Sequence, residues 1–249
     1  MIYTFAGMKA MIFAAGLGTR LRPITENKPK ALVEVGGKTL LEITIRRLKY
    51  FGVREAVVNI HHFGEQVIDF LEQHRSFGID ITISDERGLL LDTGGGLQKT
   101  APHFQSAPFL VHNVDILSNI DLRALYAAHL ASGALATLAV RDRPSSRHLL
   151  FDESGFLAGW RNNRTGEERI SRSSAELKPL AFSGLYVLSP RIFKFMPPGP
   201  VFSIIDVFLE AAKSEGLMAY RHDDSFWLDV GKMAALEEAE NLIKDIPLA

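Results

Sequence analysis

The chain has 249 residues, of which 47% are hydrophobic and 23% charged, a composition typical of a globular protein with a sizeable core. Its 28 Lys and Arg residues nearly balance 29 Asp and Glu residues, so the net charge of −1 supplies no global field for capturing nucleic acid or an anionic membrane. The lack of cysteine excludes disulfide scaffolds, cysteine-ligated zinc, iron–sulfur clusters and thiol nucleophiles.

The N-terminal region offers no convincing export or membrane signal. No apolar run approaches the ~18 residues that would suggest a membrane span. The stretch from Ala10 to Ala15 superficially resembles a signal-peptide core, but only six apolar residues follow the single Lys9. We therefore expect a cytoplasmic protein without a membrane partner, and Met8 is an alternative start to Met1.

The first half of the chain alternates between two hydrophobic periods. Apolar or β-branched runs favour strands, and apolar residues at helical spacing favour helices. In chain order, this pattern predicts strands over 9–14, 55–60, 79–83, 109–111 and 134–140, and helices around 41–48, 67–71, from 97, and 122–128, the last capped by Asp121. Such alternation predicts an α/β fold, with a mostly parallel, mixed central sheet between two helical layers in a Rossmann-like α/β/α arrangement.

The second half breaks this rhythm. The polar stretch 161–178 is interpreted as a loop or hairpin, 182–188 as a strand, and the proline-rich 196–200 as a connection. Two helices then close the chain, one capped by Ser203 and extending to Ala212, the other carrying Met233, Leu236 and Leu242. No repeat or linker appears, so we expect a single domain over 8–249.

A glycine-rich loop, Gly16-Leu17-Gly18-Thr19-Arg20, follows directly on the first predicted strand. Glycines let backbone N–H groups converge on an anion, so the loop suits a phosphate. It is neither a Rossmann fingerprint, whose third glycine would replace Leu21, nor a P-loop. Arg20, Arg22, Lys28 and Lys30 add four cations, as a polyphosphate requires, although a solvated basic loop is the alternative.

Two carboxylates stand beside apolar segments. Asp115 follows the predicted strand at 109–111, and Asp229 follows Phe226-Trp227-Leu228. Because Mg²⁺ takes one or two carboxylates together with phosphate oxygens, they form a candidate magnesium pair. Each could instead be a helix or turn cap.

The chain contains two further patterns, a second glycine run and a pair of adjacent histidines. The run Thr93-Gly94-Gly95-Gly96 is interpreted as a turn whose backbone could approach a flat nucleobase, with a loose structural turn as the alternative. The His61-His62 pair is not interpreted as a metal site, because adjacent strand residues point to opposite faces.

The segment from Phe13 to Thr25, followed by Lys28-Pro29-Lys30-Ala31-Leu32, resembles the signature of sugar-1-phosphate nucleotidyltransferases. The resemblance continues through Asn59-Ile60-His61, Leu91 to Gly96, Asn113-Val114-Asp115, Phe182-Ser183-Gly184 and Trp227 to Gly231. Within this family, the Thr-Gly-Gly-Gly loop and the short C-terminus look most like N-acetylmuramate 1-phosphate uridylyltransferases. Mannose-1-phosphate guanylyltransferases and phosphocholine cytidylyltransferases are the close alternatives.

The resemblance implies the nucleotidyltransferase fold and Mg²⁺-dependent transfer of a nucleotidyl group from a nucleoside triphosphate to a sugar 1-phosphate. It divides the domain into a nucleotide-binding half, about 8–115, and a sugar-binding half, about 116–249. The implied nucleotide-binding residues are Ala15, Gly16, Gly18, Thr19, Arg20, Lys30, Asn59, Thr93, Gly94 and Asn113. Among these, Arg20 and Lys30 are the catalytic pair; Asp115 and Asp229 hold the metal, and Glu176, Lys178 and Gly184 bind the sugar phosphate.

Two functions of other classes remain as alternatives. A non-catalytic relative would bind a nucleotide sugar and regulate a partner enzyme, although such a protein can lose the cations and aspartates that this chain retains. A dinucleotide-dependent oxidoreductase would share the α/β pattern but needs the glycine fingerprint that is missing. The oligomeric state does not follow from the sequence.

Overall fold

The computed structural model describes residues 7–249, which divide into two units that interleave along the chain. The first contains the chain up to Leu91 together with Val111–Arg123 and Ser225–Ala249, and the second contains Asp92–Leu110 and Ala124–Asp224. Met1, one of the two candidate starts, lies outside the described residues.

The strands, in chain order, are β1 (Lys9–Phe13), β2 (Glu34–Val35), β3 (Lys38–Thr39), β4 (Glu55–Ile60), β5 (Asp80–Asp85), β6 (Phe109–Asn113), β7 (Ile116–Ser118), β8 (Ala136–Arg141), β9 (Arg147–Phe151), β10 (Leu157–Asn162), β11 (Glu168–Ile170), β12 (Lys178–Leu188), β13 (Leu217–Arg221) and β14 (Trp227–Asp229). The α-helices are α1 (Leu40–Tyr50), α2 (Gly64–Gln73), α3 (Asp92–Lys99), α4 (Leu122–Ser132), α5 (Ile204–Ala211) and α6 (Ala234–Leu242).

The first unit is built on parallel strands. β1 pairs with β4, and β4 pairs with β5, both in parallel, with Phe13 opposite Asn59. Met11 and Ile12 of β1 are fully buried, as the uninterrupted apolar run predicts for a parallel strand covered on both faces. β6 neighbours β1, and the Val114 amide donates to Phe13 O at 3.1 Å, so the segments that follow these two strands begin side by side.

Helix α1 follows the sequence pattern closely. The Thr39 side chain accepts a hydrogen bond from the Glu42 amide at 3.1 Å and caps the first turn. Leu41, Ile45 and Leu48 recur at helical spacing and are completely buried.

The second unit contains a mixed sheet. β12 pairs antiparallel with β9 and β8, and β13 pairs parallel with β8. β9, β10 and β11 pair antiparallel. The polar stretch 161–178, expected to be a loop or hairpin, contains the turn and second strand of the β10–β11 hairpin, whereas the strand β10, which begins at Leu157, was not predicted. The expected α/β fold with a mixed sheet is confirmed.

The glycine run at 93–96 does not form the turn that the sequence predicts before a helix at Leu97. It lies inside α3, and Gly94, Gly95 and Gly96 are buried. Glycine disfavours helices in isolation, so local propensity pointed to a turn. Packing explains the difference, because a Cβ atom on Gly94 would stand 2.4 Å from a ring carbon of Phe202.

Several short strands were not predicted: β2, β3, β7, β9, β13 and β14. Four of them have only two or three residues, too few to establish a period of two, and the five residues of β9 and of β13 do not alternate between apolar and polar. The caps predicted at Asp121 and Ser203 are confirmed, since these side chains accept hydrogen bonds from the amides of Arg123 and Ile205. Within residues 7–249, no helix is long and apolar enough to span a bilayer.

Candidate active site

Ala14 and Ala15 follow the end of β1 and lead into the glycine-rich loop, whose last two residues, Thr19 and Arg20, begin a short 3₁₀ turn at Thr19–Leu21. Gly18 has φ +65°, and a Cβ there would stand 3.1 Å from side-chain carbons of both Lys30 and Thr25. Glycine is therefore required by conformation and by space at this position. The Thr25 hydroxyl donates to Gly18 O at 2.8 Å and fixes the turn. Gly16, Thr19 and Arg20 remain exposed, as anion-binding groups must be.

Asn59 of β4, a buried residue, binds the backbone just before this loop. Asn59 Oδ1 accepts the Ala14 amide at 2.7 Å and the Ala15 amide at 3.3 Å. Its Nδ2 donates to Glu86 Oε1 at 2.7 Å, and Asn59 is only 2% exposed. The Asn59 side chain and the Ala15 amide are therefore hydrogen-bonded within the protein and are not presented on an open surface. Glu86 was not identified from the sequence.

Lys30 and Asp115 form an ion pair in the first unit, Lys30 Nζ contacting Asp115 Oδ2. Pro29 precedes Lys30 in an extended conformation, and Lys30 opens the 3₁₀ turn Lys30–Leu32, so the lysine is held by backbone on both sides. Its side chain is 8% exposed, against 22% for Asp115. A largely buried lysine needs a partner, and Asp115 supplies it.

Arg20 and Asp229 form a second cation–carboxylate pair in the same unit, with 3.9 Å between Arg20 Nη2 and Asp229 Oδ2. β14 pairs antiparallel with β7, and the Val230 amide donates to Asp115 O at 2.9 Å. The two aspartates thus lie on neighbouring backbone segments although 114 positions separate them in sequence. The structure therefore pairs Arg20 and Lys30, two of the four cations that the sequence singled out, with Asp229 and Asp115, the two candidate metal ligands.

These carboxylates provide the oxygen ligands that Mg²⁺ prefers, but they are only two. Among the residues described, no group of three or more His, Asp or Glu side chains is arranged to hold a metal ion. A Mg²⁺ ion is commonly bound through one or two carboxylates and completed by substrate phosphates and water, so the two aspartates match its donor set.

A buried Arg–His pair, which the sequence did not predict, joins chain segments that precede and follow Asp115 in the sequence. Arg47 of α1 donates to His112 Nε2 at 3.0 Å and to Ile120 O at 2.8 Å, while His112 Nδ1 donates to Asn113 O at 2.8 Å. Burial lowers the pKa of His112 to about 3, aided by the Arg47 charge, so the imidazole is neutral. Burial also lowers the pKa of Arg47 to about 9. The two side chains bridge β6 and the segment following β7, on either side of Asp115.

In the second unit, the backbone expected to contact a base is engaged by Phe202. The Gly94 and Gly95 amides both donate to Phe202 O, at 2.9 and 3.2 Å. Thr93 Oγ1 accepts the Ile204 amide at 3.0 Å, which ties α3 to the first turn of α5. The Gly94 amide and the Thr93 hydroxyl oxygen are therefore already engaged in hydrogen bonds within the second unit.

The three residues assigned to the sugar phosphate are spread along β12 and the segment before it. Lys178 is the exposed first residue of the strand, and Glu176 is exposed just before it. Gly184 lies six positions further on, in an irregularity of the β12–β8 pairing, with φ +70°. At about 3.3 Å per residue, Lys178 and Gly184 are ~20 Å apart, so one phosphate group cannot contact both.

The Gly184 irregularity is anchored by a buried Ser–His contact. Ser183 Oγ and His222 Nε2 are 2.7 Å apart, and both residues are buried. Burial lowers the pKa of His222 to about 4, assisted by the charge of Arg141. A lone histidine after a five-residue strand carried no recognisable sequence signal.

The profile described as "Nucleotidyl transferase" matches residues 9–152. An N-acetylmuramate alpha-1-phosphate uridylyltransferase of Neisseria meningitidis is 33% identical over 94% of this chain and 98% of its own. The corresponding protein of Caulobacter vibrioides is 32% identical over 93% of this chain and 95% of its own.

Among solved structures, a UTP-bound UGPase from Acinetobacter baumannii superposes with a TM-score of 0.76 at 18% identity, covering 94% of this chain and 92% of its own. At that identity the similarity concerns the fold. The family profile, the two uridylyltransferases and the similar fold all agree with the resemblance seen in the motifs. The chain belongs to the nucleotidyl transferase family.

Proposed function

We propose that this protein transfers a nucleotidyl group from a nucleoside triphosphate to a sugar 1-phosphate, releasing pyrophosphate, and that its substrates are UTP and N-acetylmuramate 1-phosphate. The observation that carries the proposal is the meeting of Lys30 with Asp115 and of Arg20 with Asp229, beside a phosphate-suited loop. The substrate pair is supported by the two uridylyltransferases that align over nearly their full lengths.

The proposed reaction is a single in-line displacement. An oxygen of the sugar 1-phosphate attacks the α-phosphorus, the bond to the β-phosphate oxygen breaks, and pyrophosphate leaves, so no covalent protein intermediate is needed. Both reactants are anions, and their repulsion is the first barrier. Lys30 neutralises the α-phosphate, and Arg20 holds the departing pyrophosphate. The amides of Gly16 and Gly18 and the Thr19 hydroxyl orient the triphosphate.

Asp115 and Asp229 are the residues that would hold Mg²⁺. A bound Mg²⁺ ion would supply positive charge to the triphosphate and to the leaving pyrophosphate. In the structure, Lys30 and Arg20 occupy the same carboxylates, so the protein balances the four charges internally. A triphosphate that recruits both cations would leave both carboxylates available as ligands.

The remaining nucleotide-binding proposals differ in how directly they can act. Thr93, Gly94 and Asn113 are proposed to line the nucleoside through whatever groups their structural contacts leave accessible. Ala15 and Asn59 have their polar groups engaged with each other, which favours an indirect role. For the sugar phosphate, Glu176, Lys178 and Gly184 remain candidates, and Lys178 and Gly184 would serve different parts of the substrate.

We further propose that residues 8–249 act as one domain and that the protein works in the cytoplasm, where nucleoside triphosphates are available. Its balanced charge supports small-molecule substrates rather than nucleic acid.

The test is pyrophosphate release with Mg²⁺ from UTP, GTP, CTP and dTTP, each combined with N-acetylmuramate 1-phosphate, N-acetylglucosamine 1-phosphate, glucose 1-phosphate, mannose 1-phosphate and phosphocholine. A dominant signal for UTP with N-acetylmuramate 1-phosphate is expected. Dominance of GTP with mannose 1-phosphate, or of CTP with phosphocholine, would replace the substrates and keep the chemistry. Nucleotide binding without turnover in any combination would favour a regulatory binding protein.

A further inference from the structure

Asn59 and Glu86 form a buried contact, and neither side chain takes part in the chemical step proposed above. Both residues are 2% exposed, and both belong to the first unit. Asn59 accepts hydrogen bonds from two backbone amides directly after β1, whereas Glu86 lies directly after β5. A buried carboxylate is costly unless hydrogen bonds satisfy it, so its retention in the interior calls for an explanation.

The hydrogen bonds define one orientation of the Asn59 amide. Oδ1 receives the amides of Ala14 and Ala15, and Nδ2 faces the Glu86 carboxylate. Rotating the amide by 180° would turn a donor toward two donors and an acceptor toward a carboxylate. The Ala14 and Ala15 amides, just before the glycine-rich loop, are thereby directed inward. The next polar groups, at Gly16 and Thr19, lie on the exposed side.

Glu86 extends the connection to a second segment. Its Oε2 accepts the Leu91 amide at 3.2 Å, its own amide donates to Ile60 O at 2.8 Å, and its carbonyl is 2.8 Å from His61 Nδ1. Leu91 immediately precedes Asp92, Thr93 and Gly94 in the sequence. The Asn59–Glu86 pair therefore fixes the backbone just before the glycine-rich loop and the chain that leads into the proposed base-binding residues.

We propose that Asn59 and Glu86 are positioning residues for the nucleotide: they do not touch it, but they set the backbone that does. This inference rests on the proposed function for the identity of the ligand. Losing one of these buried hydrogen bonds leaves an unsatisfied polar group, which is sufficient for a tenfold change in an equilibrium constant, on the order of 1.4 kcal/mol.

The chemistry of the pair permits an exchange experiment. Asn59→Asp places two carboxylates face to face, and Glu86→Gln directs one side-chain amide toward either Asn59 Nδ2 or the Leu91 amide. In the double variant N59D/E86Q, the new aspartate accepts the Ala14 and Ala15 amides and the glutamine NH₂, while the glutamine oxygen accepts Leu91. Every contact described above is restored, with the negative charge moved by one residue.

Binding of UTP with Mg²⁺, without sugar phosphate, would be measured by calorimetry for all four proteins. Each single variant is expected to bind UTP at least about tenfold more weakly, and the double variant to return to within about threefold of wild type. In steady-state assays, the KM for the nucleotide rises in the single variants while the KM for the sugar phosphate stays constant. A general loss of folding would reduce kcat and leave both KM values unchanged.

Thr137→Val is the matched control. It removes a buried side-chain hydrogen bond, between Thr137 and His129 in the second unit, and should lower stability while leaving UTP affinity unchanged. UTP affinity that is unaffected in both single variants, or not recovered in the exchange, would overturn the inference. A folded wild-type protein that neither binds UTP nor turns over any nucleotide would instead reject the proposed function.

Amide hydrogen exchange keeps the inference testable if a single variant fails to fold. In the wild-type protein without nucleotide, the Ala14 and Ala15 amides should be strongly protected, whereas those of Gly16 and Thr19 should exchange rapidly and slow down when UTP is added. Ala14 exchanging as fast as Gly16 would contradict the geometry on which the proposal stands.

Discussion

At the scale of single residues, Lys30 and Asp115 depend on each other. Because their ion pair is largely buried, removing either side chain leaves the other charge poorly compensated. We expect Lys30→Ala and Asp115→Ala each to lower kcat by on the order of 10²-fold or more while the fold is retained. Pyrophosphate release, circular dichroism and thermal unfolding would be measured together.

The double variant K30A/D115A separates the two effects. Removing both charges should restore part of the stability that either single variant loses, but none of the activity. Near wild-type turnover by a folded single variant would remove Lys30 and Asp115 from the reaction.

Gly231 makes a second prediction at this scale. A Cβ atom there would stand 2.6 Å from Asp229 Oδ1 and 2.7 Å from Arg20 Nη2, so both charged groups must move to accommodate it. We expect Gly231→Ala to lower kcat/KM by about tenfold or more with little change in Tm, because both side chains are partly exposed and can shift. Gly88→Ala, where a Cβ would meet nothing within 4 Å, is the matched glycine control.

At the scale of an element, α3 exists because of its packing. A Cβ on Gly94 would stand 2.8 Å from the backbone oxygen of Phe202, which cannot move aside as a side chain can. Gly94→Ala should therefore destabilise the protein by about 1–3 kcal/mol, measured by urea unfolding. If helix propensity governed this position, the substitution would instead stabilise it by about 1 kcal/mol.

At the scale of the whole molecule, buried histidines predict acid sensitivity. Burial lowers the pKa of His112 to about 3, and of His129 and His222 to about 4, in the last two cases with help from Arg191 and Arg141. Below about pH 6.5, histidines of the unfolded chain bind protons that the folded protein excludes. The free energy of unfolding should therefore be highest above pH 6.5 and fall as the pH drops toward 4.

Urea unfolding between pH 7.5 and 5 tests this dependence. His112→Gln should reduce the slope by about one proton, or about 1.4 kcal/mol per pH unit. Equal slopes in the wild type and the His112 variant would show that His112 does not carry the effect.

The elements with a clear hydrophobic period, and the loops adjoining them, could be predicted from local sequence patterns. The β1 run, the α1 stripe and the glycine loop are local patterns, and each is as expected because burial on two faces, on one stripe or on none has a distinct signature. The candidate cations and aspartates could be chosen by residue type, context and resemblance.

Which of these residues come into contact depends instead on pairing between segments that are distant in the sequence. The Asp115–Asp229 proximity depends on the pairing of β7 with β14, three residues each, and Asn59–Glu86 depends on the parallel register of β4 and β5. The same holds for the buried glycines of α3 and for Arg47 with His112. Contacts between distant segments are selected by packing and hydrogen-bond satisfaction in three dimensions, and neither leaves a period in the sequence.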